Sequence, residues 1–558
     1  MKEVKIKMKQ TNWFKDAIIY QIYPRSFKDS NNDGIGDIKG IISKLDYLKD
    51  LGINCVWLSP VYESPMDDNG YDISDYYKIH KDFGTMEDFK LMLDEMHKRG
   101  IRLIMDFVAN HTSDEHAWFK DAKMSKDSPY RDYYIWKDKP NNWSGFFGEK
   151  AWEYVKESDS YYLHLFGKTQ PDVNWENPKV REAYKNVLKF YLDMGVDGFR
   201  CDVINVISKD QRYKNGRNPF ILVGKKYFIN GPKLHEYLYE LNKDVLSKYD
   251  CMTVGETVFT NLEDVKLMTA ENRNELSMVF NFDHTSVDNF LGVKWLMRKF
   301  SLRRFKKALD KYQYGLKDIG WNSLFYENHD QRRSVGRFNT DDKKYRAESA
   351  KLLATTMYFL KGTPFIYQGQ EIGMTNFEVN SLDEFIDIES INVIKTMKSL
   401  KLPKSYIEKS IRNGSRDNAR LPIPWDDSTY GGFTNTTPWL PLNKNKGSIN
   451  VEKALREKDS ILNYYKKLIK VYKENSLIIR EGIYKDLKPR SNKLFAYERR
   501  LDDQILLVTS NFSDKEIKCD VLKNHKGYKV EILLNNYKNK SISYTLKPYQ
   551  TILYLLKK

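Results

Sequence analysis

Residues 98–111 read Lys98-Arg-Gly-Ile-Arg-Leu-Ile-Met-Asp-Phe-Val-Ala-Asn-His111. The apolar run from Ile101 to Val108 has the length and composition of a buried strand. It follows Gly100, which ends a segment (residues 86–98) whose apolar residues recur at helical spacing. The same order stands one unit earlier. Residues 53–58 (INCVWL) follow Gly52, which closes a helical pattern over 37–51 set by Ile38, Ile41, Ile42, Leu45 and Leu48. Residues 17–23 (AIIYQIY) supply the run before that. A glycine just past a helix takes the left-handed conformation that closes the last turn. Near-continuous apolar strands spaced by helices predict a parallel sheet covered on both faces.

Beyond His111 the rhythm stops. Residues 113–178 are rich in Trp, Tyr, Asp and Pro and show no clear helix, a stretch too long for an ordinary connection. It predicts an inserted subdomain. A helix over 179–194 and a strand over 196–202 restore the alternation. Strands over 252–256, 276–282, 323–327 and 364–368 follow, each after a helical segment. Eight strand–helix units predict an α/β fold, a (β/α)8 TIM barrel with an insertion after strand 3. A last helix over 460–474 leads into short β-like pieces (493–497, 504–509, 528–533, 551–556). The expected division is a barrel over 1–112 and 179–478, a subdomain over 113–178, and a C-terminal antiparallel β-sandwich domain over 479–558.

Composition narrows the function. The chain has 558 residues, 14% aromatic and 41% hydrophobic, which suits a large folded core and not disorder. Lys and Arg number 92 against 76 Asp and Glu, a formal charge of +16. The bases are spread along the chain and mixed with acids, so they read as a solvated surface, and no nucleic-acid partner is expected. Cys55, Cys201, Cys251 and Cys519 lack metal-like spacing and read as buried free thiols in a reducing compartment. The opening MKEVKIKMKQTNWFKD has no signal-peptide stretch, and no run approaches the ~18 apolar residues of a membrane helix. The expectation is a cytoplasmic protein without membrane contact, a monomer or weak homo-oligomer.

In such a barrel the chemistry lies at the C-terminal strand ends. Strand 3 ends in Asp106 to His111, strand 4 in Gly198-Phe-Arg-Cys-Asp202, strand 5 in Val254-Gly-Glu256 and strand 7 in Glu327-Asn-His-Asp330. One carboxylate after a strand is often a helix cap or turn residue. Three of them, Asp202, Glu256 and Asp330, with Arg200, His111 and His329 beside them, are brought to one cavity by barrel geometry. Convergent carboxylates suit glycosidic bond cleavage, one as nucleophile and one as an acid kept protonated by its neighbours' charge.

These four stretches, in this order, resemble the signature regions of glycoside hydrolase family 13, the α-amylase superfamily. Gln170-Pro-Asp-Val-Asn-Trp175 resembles a further signature of its oligo-1,6-glucosidase branch. The resemblance implies a retaining exo-acting α-glucosidase that hydrolyses α-1,6 bonds of isomaltose and short isomalto-oligosaccharides, with no organic cofactor. Trehalose-6-phosphate hydrolase, sucrose isomerase and an α-1,4-glucosidase share the mechanism and are the alternatives. A non-catalytic relative is disfavoured by the three intact carboxylates. By the resemblance Asp202 is the nucleophile, Glu256 the acid and then the base, and Asp330 the holder of sugar hydroxyls. Arg200 orients Asp202. His111 and His329 bind hydroxyls, Tyr71 stacks on the sugar, and Asp72 with Arg416 closes the pocket on the terminal hydroxyl. Phe147 and Phe166 are candidates for the pocket lining, and Val203 resembles enzymes favouring α-1,6 bonds.

Asp29, Asn31, Asp33 and Asp37, with Ile35 between the last two, place oxygen side chains at alternate positions around a Gly turn. That pattern suits Ca2+. It is not an EF-hand, because Gly40 stands where the closing Glu belongs. It resembles the calcium loop of the same branch, with Ile35 giving its carbonyl and the ion structural. The chain departs from the branch at Thr257-Val-Phe259, where a Pro-Gly turn is common, at Arg332, where Pro is usual, and at Gln370, where Glu is usual.

Overall fold

The computed structural model describes residues 11–217, 222–290, 292–538 and 541–558. The reading of the opening segment falls largely on residues 1–10, outside these. Eight parallel strands form one sheet: β1 (Ile19–Ile22), β2 (Cys55–Leu58), β3 (Arg102–Val108), β4 (Gly198–Asp202), β5 (Met252–Glu256), β6 (Met278–Phe280), β7 (Ser323–Leu324) and β8 (Thr363–Tyr367). Their order is β6-β5-β4-β3-β2-β1-β8-β7, and a parallel bridge between Val279 and Asn322 joins the ends. This is the TIM barrel with its insertion after strand 3.

Side chains alternate across each strand. Ile19, Cys55, Trp57, Ile104, Met252, Val254, Met278, Phe280 and Phe365 fill the barrel interior. The alternate set (Tyr20, Ile22, Val56, Leu58, Leu103, Met105, Phe199, Cys201) packs under the helices. Gln21, Asp106, Arg200, Asp202 and Glu256 continue the inward set at the C-terminal end, in a register that pairs Gln21 with Trp57, Asp106 with Arg200, and Val108 with Asp202.

The helical pattern over 37–51 is two helices, Ile38–Ile42 and Leu45–Leu51. Asp37 caps the first by accepting from Gly40 N. Gly40 lies so close to the Lys28 carbonyl that a Cβ would sit 1.9 Å from it, so the first helix presses a bare backbone against the chain. Gly52 closes the second at φ 98°. Strand β7 is shorter than the apolar run because the Phe325 carbonyl accepts from His284 Nε2 at 2.7 Å instead of a neighbouring strand.

The insertion carries a three-stranded antiparallel sheet (Trp136–Lys137, Trp152–Val155, Ser160–Leu163) and a short helix, Ala117–Ala122, that the sequence reading did not anticipate. It returns to the barrel through a bridge between His111 and Asp172. The C-terminal region has a five-stranded antiparallel sheet of β9 (Ile483–Asp486), β10 (Leu494–Leu501), β11 (Gln504–Asn511), β12 (Lys529–Asn535) and β13 (Thr551–Lys557), in the order β9-β10-β11-β13-β12. A two-stranded ribbon, Ile517–Lys518 with Thr545–Leu546, faces it across a small core. All four cysteines are buried free thiols. Among the described residues no helix is long and apolar enough to cross a membrane.

Candidate active site

At the C-terminal mouth of the barrel a cleft of about 210 Å3 is lined by Asp202, Glu256 and Asp330 from β4, β5 and the turn after β7. A cavity of about 840 Å3 at the opposite end, between the barrel and β9–β10, contains none of these groups. The carboxylates and not the volume locate the chemistry.

Arg200 organises the floor. Its Nη1 donates to Asp106 Oδ1 at 2.5 Å and to Asp202 Oδ1, and its Nη2 donates to Glu256 Oε2. One guanidinium thus bridges the two carboxyl groups, as a planar fork suits. Asp106 is oriented in turn by Trp57 Nε1, 2.7 Å away. Burial lifts Asp202 to about 6 against the pull of Arg200. Burial lifts Glu256 to about 7; Asp202 and Asp330 add to the rise and Arg200 opposes it. Burial also acts to raise Asp330, but the Arg416 and Arg420 guanidiniums outweigh it and hold this carboxyl well below the usual range. Arg420 Nη2 donates to Asp330 Oδ1 at 2.9 Å. At neutral pH Asp330 is therefore ionised, Asp202 largely so, and Glu256 is poised to hold its proton.

Val203, directly after Asp202, has φ 33° and ψ 40°. A β-branched residue in the left-handed region is strained, and such strain collects at functional sites. The conformation turns Val203 N–H toward Glu256 Oε2 at 3.3 Å and its side chain into the cleft.

The walls gather most of the expected residues. Tyr71 lies parallel to the His329 ring, centroids 5.1 Å apart. His111 contacts Phe166 at 5.1 Å, and Phe147 lies under the Arg416 guanidinium at 5.3 Å. Burial lowers His111 to about 4 and His329 to about 3, so both rings are neutral.

One pairing needs correcting. Asp72 does not meet Arg416; its carboxylate accepts from Asp67 N and Asp68 N, capping the turn on which Asp68 sits. Asp68 makes the contact instead, with Arg416 Nη2 3.3 Å from its Oδ1, and it is Asp68 that lines the cleft. Gln170, in the signature quoted above, donates to Asp68 Oδ2 at 3.1 Å. The Met66-Asp-Asp-Asn-Gly-Tyr-Asp72 stretch offers three carboxylates within six residues, and spacing alone does not separate the cap from the wall. Sequence reasoning also missed Asp387, which takes both Nε and Nη2 of Arg416, and the ion pair of Lys294 with Glu389 at the mouth. These come from segments without strand-end grammar.

In the Asp29–Asp37 loop the carboxylates hold the backbone. Asp29 accepts from the N–H groups of Asn31, Asn32 and Gly34, Asp33 from that of Ile35, and Asp37 from those of Ser30 and Gly40. Among the described residues no three His, Cys, Asp or Glu side chains converge as on a metal ion.

The family model described as alpha amylase, catalytic domain, matches residues 21–482. An oligo-1,6-glucosidase of Parageobacillus thermoglucosidasius is 52% identical over 536 residues, covering 94% of this chain and 95% of that one. The crystal structure of a trehalose-6-phosphate hydrolase from Bacillus licheniformis superposes with a TM-score of 0.93 at 46% identity, covering 98% of this chain and 100% of that one. An isomaltulose synthase from a Klebsiella species has a TM-score of 0.93 at 41% identity, covering 98% and 99%. With the barrel, the three strand-end carboxylates and these matches together, the chain belongs to the α-amylase family of glycoside hydrolases.

Proposed function

We propose that this enzyme is a retaining, exo-acting α-glucosidase that cleaves α-1,6 bonds at the non-reducing ends of isomaltose and short isomalto-oligosaccharides. The observation that carries it is the Arg200 fork, which ties Asp202 and Glu256 together at the floor of a small pocket. One guanidinium reaching both acids fits the close spacing of retaining enzymes, roughly 5–5.5 Å. Asp202 attacks the anomeric carbon while Glu256 protonates the departing oxygen. Glu256, then ionised, takes a proton from the water that releases glucose. Asp330, kept anionic by Arg420 and Arg416, accepts from sugar hydroxyls throughout. The Asp68–Arg416 contact and the Phe147 and Phe166 rings wall the pocket beyond the first sugar, which supports action at chain ends.

Relatives named oligo-1,6-glucosidase at 52% and 50% identity favour the α-1,6 linkage over the phosphorylated and isomerase alternatives. Side-by-side assays of isomaltose, maltose, sucrose, trehalose and trehalose-6-phosphate test it: isomaltose is expected to give the highest kcat/KM. Cleavage of the phosphorylated sugar alone would overturn the reading. Val203 lines the cleft beside Glu256. Val203→Ala is expected to raise the maltose-to-isomaltose ratio of kcat/KM by about tenfold, the scale of one or two methyl groups in a pocket; an unchanged ratio removes Val203 as a determinant. Four unpaired buried thiols support a reducing, cytoplasmic setting for this activity.

We also propose that the loop at Asp29, Asn31, Asp33, the Ile35 carbonyl and Asp37 takes Ca2+ as a structural ion. The donors are all oxygen, at alternate positions, which suits a hard cation. Bound only by the folded chain, Ca2+ at 100 times its Kd adds about 2.7 kcal/mol of stability. Titration calorimetry should show binding, and chelation should lower the thermal midpoint. No heat and no shift would refute the site.

A further inference from the structure

His329 is buried at 1% exposure, between Tyr71 on one face and Tyr23 on the other, both nearly parallel to it at 5.1 and 6.2 Å, with Trp57 edge-on at 5.9 Å. Its Nε2 lies 3.3 Å from Asp330 Oδ2. The charged groups around it are Asp330, which favours the imidazolium, and Arg200, Arg420 and Arg416, which join burial in opposing it. A neutral imidazole has one N–H and one lone pair. Asp330 is ionised and can only accept, so the proton belongs on Nε2 and the lone pair on Nδ1.

What faces that lone pair is Gln21, on β1. Its Nε2 lies 2.8 Å from His329 Nδ1 and 3.1 Å from Ser59 Oγ. Gln21 is itself 1% exposed, and its Oε1 has no partner among the described residues. Turning the amide over would set its oxygen against the Nδ1 lone pair, so the network fixes which end faces the ring. A buried carbonyl left without a partner costs free energy, and here that cost maintains a donor toward His329.

We propose that Gln21 is a positioning residue: its amide N–H locks His329 in the Nε2–H tautomer, so that the ring offers the bound glucosyl unit a donor next to Asp330. This rests on the glucosidase reading of the cleft. The lock needs a side chain that donates here, and β1 supplies it from the inward set at the one level where the barrel filling gives way to the site.

Two substitutions test it. Gln21→Leu removes the donor and is expected to lower kcat/KM for isomaltose by about 10–100-fold, the scale of a misaligned contact in the transition state. In a His329→Ala background the same change should cost no more than about twofold, because its effect runs through the ring. Gln21→Glu presents only acceptors and draws the proton to Nδ1. The imidazolium that forms at low pH keeps its Nε2–H; as pH rises it deprotonates, the introduced carboxylate retains the Nδ1 proton, and Nε2 loses its donor. The alkaline limb of kcat/KM is then expected to move to lower pH. The added negative charge alone would raise the Glu256 pKa and move that limb upward, so the direction separates the two effects.

Full activity in Gln21→Leu, equal losses in both backgrounds, or an upward move of the limb in Gln21→Glu would overturn the proposal. Either substitution suffices if the other fails to fold. If the unaltered enzyme cleaves none of the glucosides, the reading of the cleft fails; if it cleaves isomaltose and the Gln21 variants match it, only the role of Gln21 does.

Discussion

Asp202→Asn is expected to lower kcat for isomaltose by about 10^4-fold or more, because it removes the group that forms the covalent intermediate. The fold should survive. Arg200 keeps Asp106 at 2.5 Å and Glu256 on its other arm, so no buried cation is stranded by the loss of one of three carboxylates. The amide is close in size to the acid, and β4 is paired with β3 through Asp202 and with β5 up to Cys201. An unchanged thermal midpoint with lost turnover therefore identifies chemistry and not collapse. Asp202→Gly sharpens the result. It opens room on the β face of the sugar where azide can stand in for the carboxylate, and the product expected with an activated aryl α-glucoside is the β-glucosyl azide. Wild-type turnover in Asp202→Asn, or azide adducts only of α configuration, would show that Asp202 is not the nucleophile.

Period explains what the sequence made legible. The barrel was readable because short apolar runs alternate with helical segments, the first two of which are stopped by Gly52 and Gly100, and Gly52 does stand in the left-handed conformation that signal requires. The strand-end groups were readable because inward alternation through Arg200 and Asp202 leaves no other place for them. Asp68 was not readable. It sits in a turn with Asp67 and Asp72, and only three-dimensional hydrogen bonding shows that Asp72 spends its oxygens on backbone N–H groups while Asp68 faces Arg416. Lys294, Asp387 and Glu389 were invisible for a related reason: they arrive from connecting segments, where neither period nor turn chemistry says which side chain points at the cleft. Gln21 lay inside a strand that was read correctly, and was passed over because a buried amide has no meaning until its partner, 308 residues away, is known.

The pH profile of the intact enzyme tests the remaining division of labour. As pH falls through about 6, Asp202 takes up a proton and loses its nucleophilicity; as pH rises through about 7, Glu256 loses the proton it must donate. A narrow bell for kcat/KM is expected between these limbs. Glu256→Gln should spare binding, lower kcat for isomaltose by about 10²–10⁴-fold, and abolish the alkaline limb, since the amide neither donates nor titrates. With p-nitrophenyl α-glucoside the leaving phenolate needs no proton, so the first step should stay fast while release of glucose, which needs Glu256 as base, becomes slow. A burst of nitrophenol followed by slow turnover is the expected trace. Asp330→Asn completes the argument. Its negative charge helps hold the proton on Glu256, so its removal should move the alkaline limb to lower pH. An alkaline limb that persists in Glu256→Gln would assign the acid to another group, and one that stays in place in Asp330→Asn would show that this carboxylate serves the sugar alone.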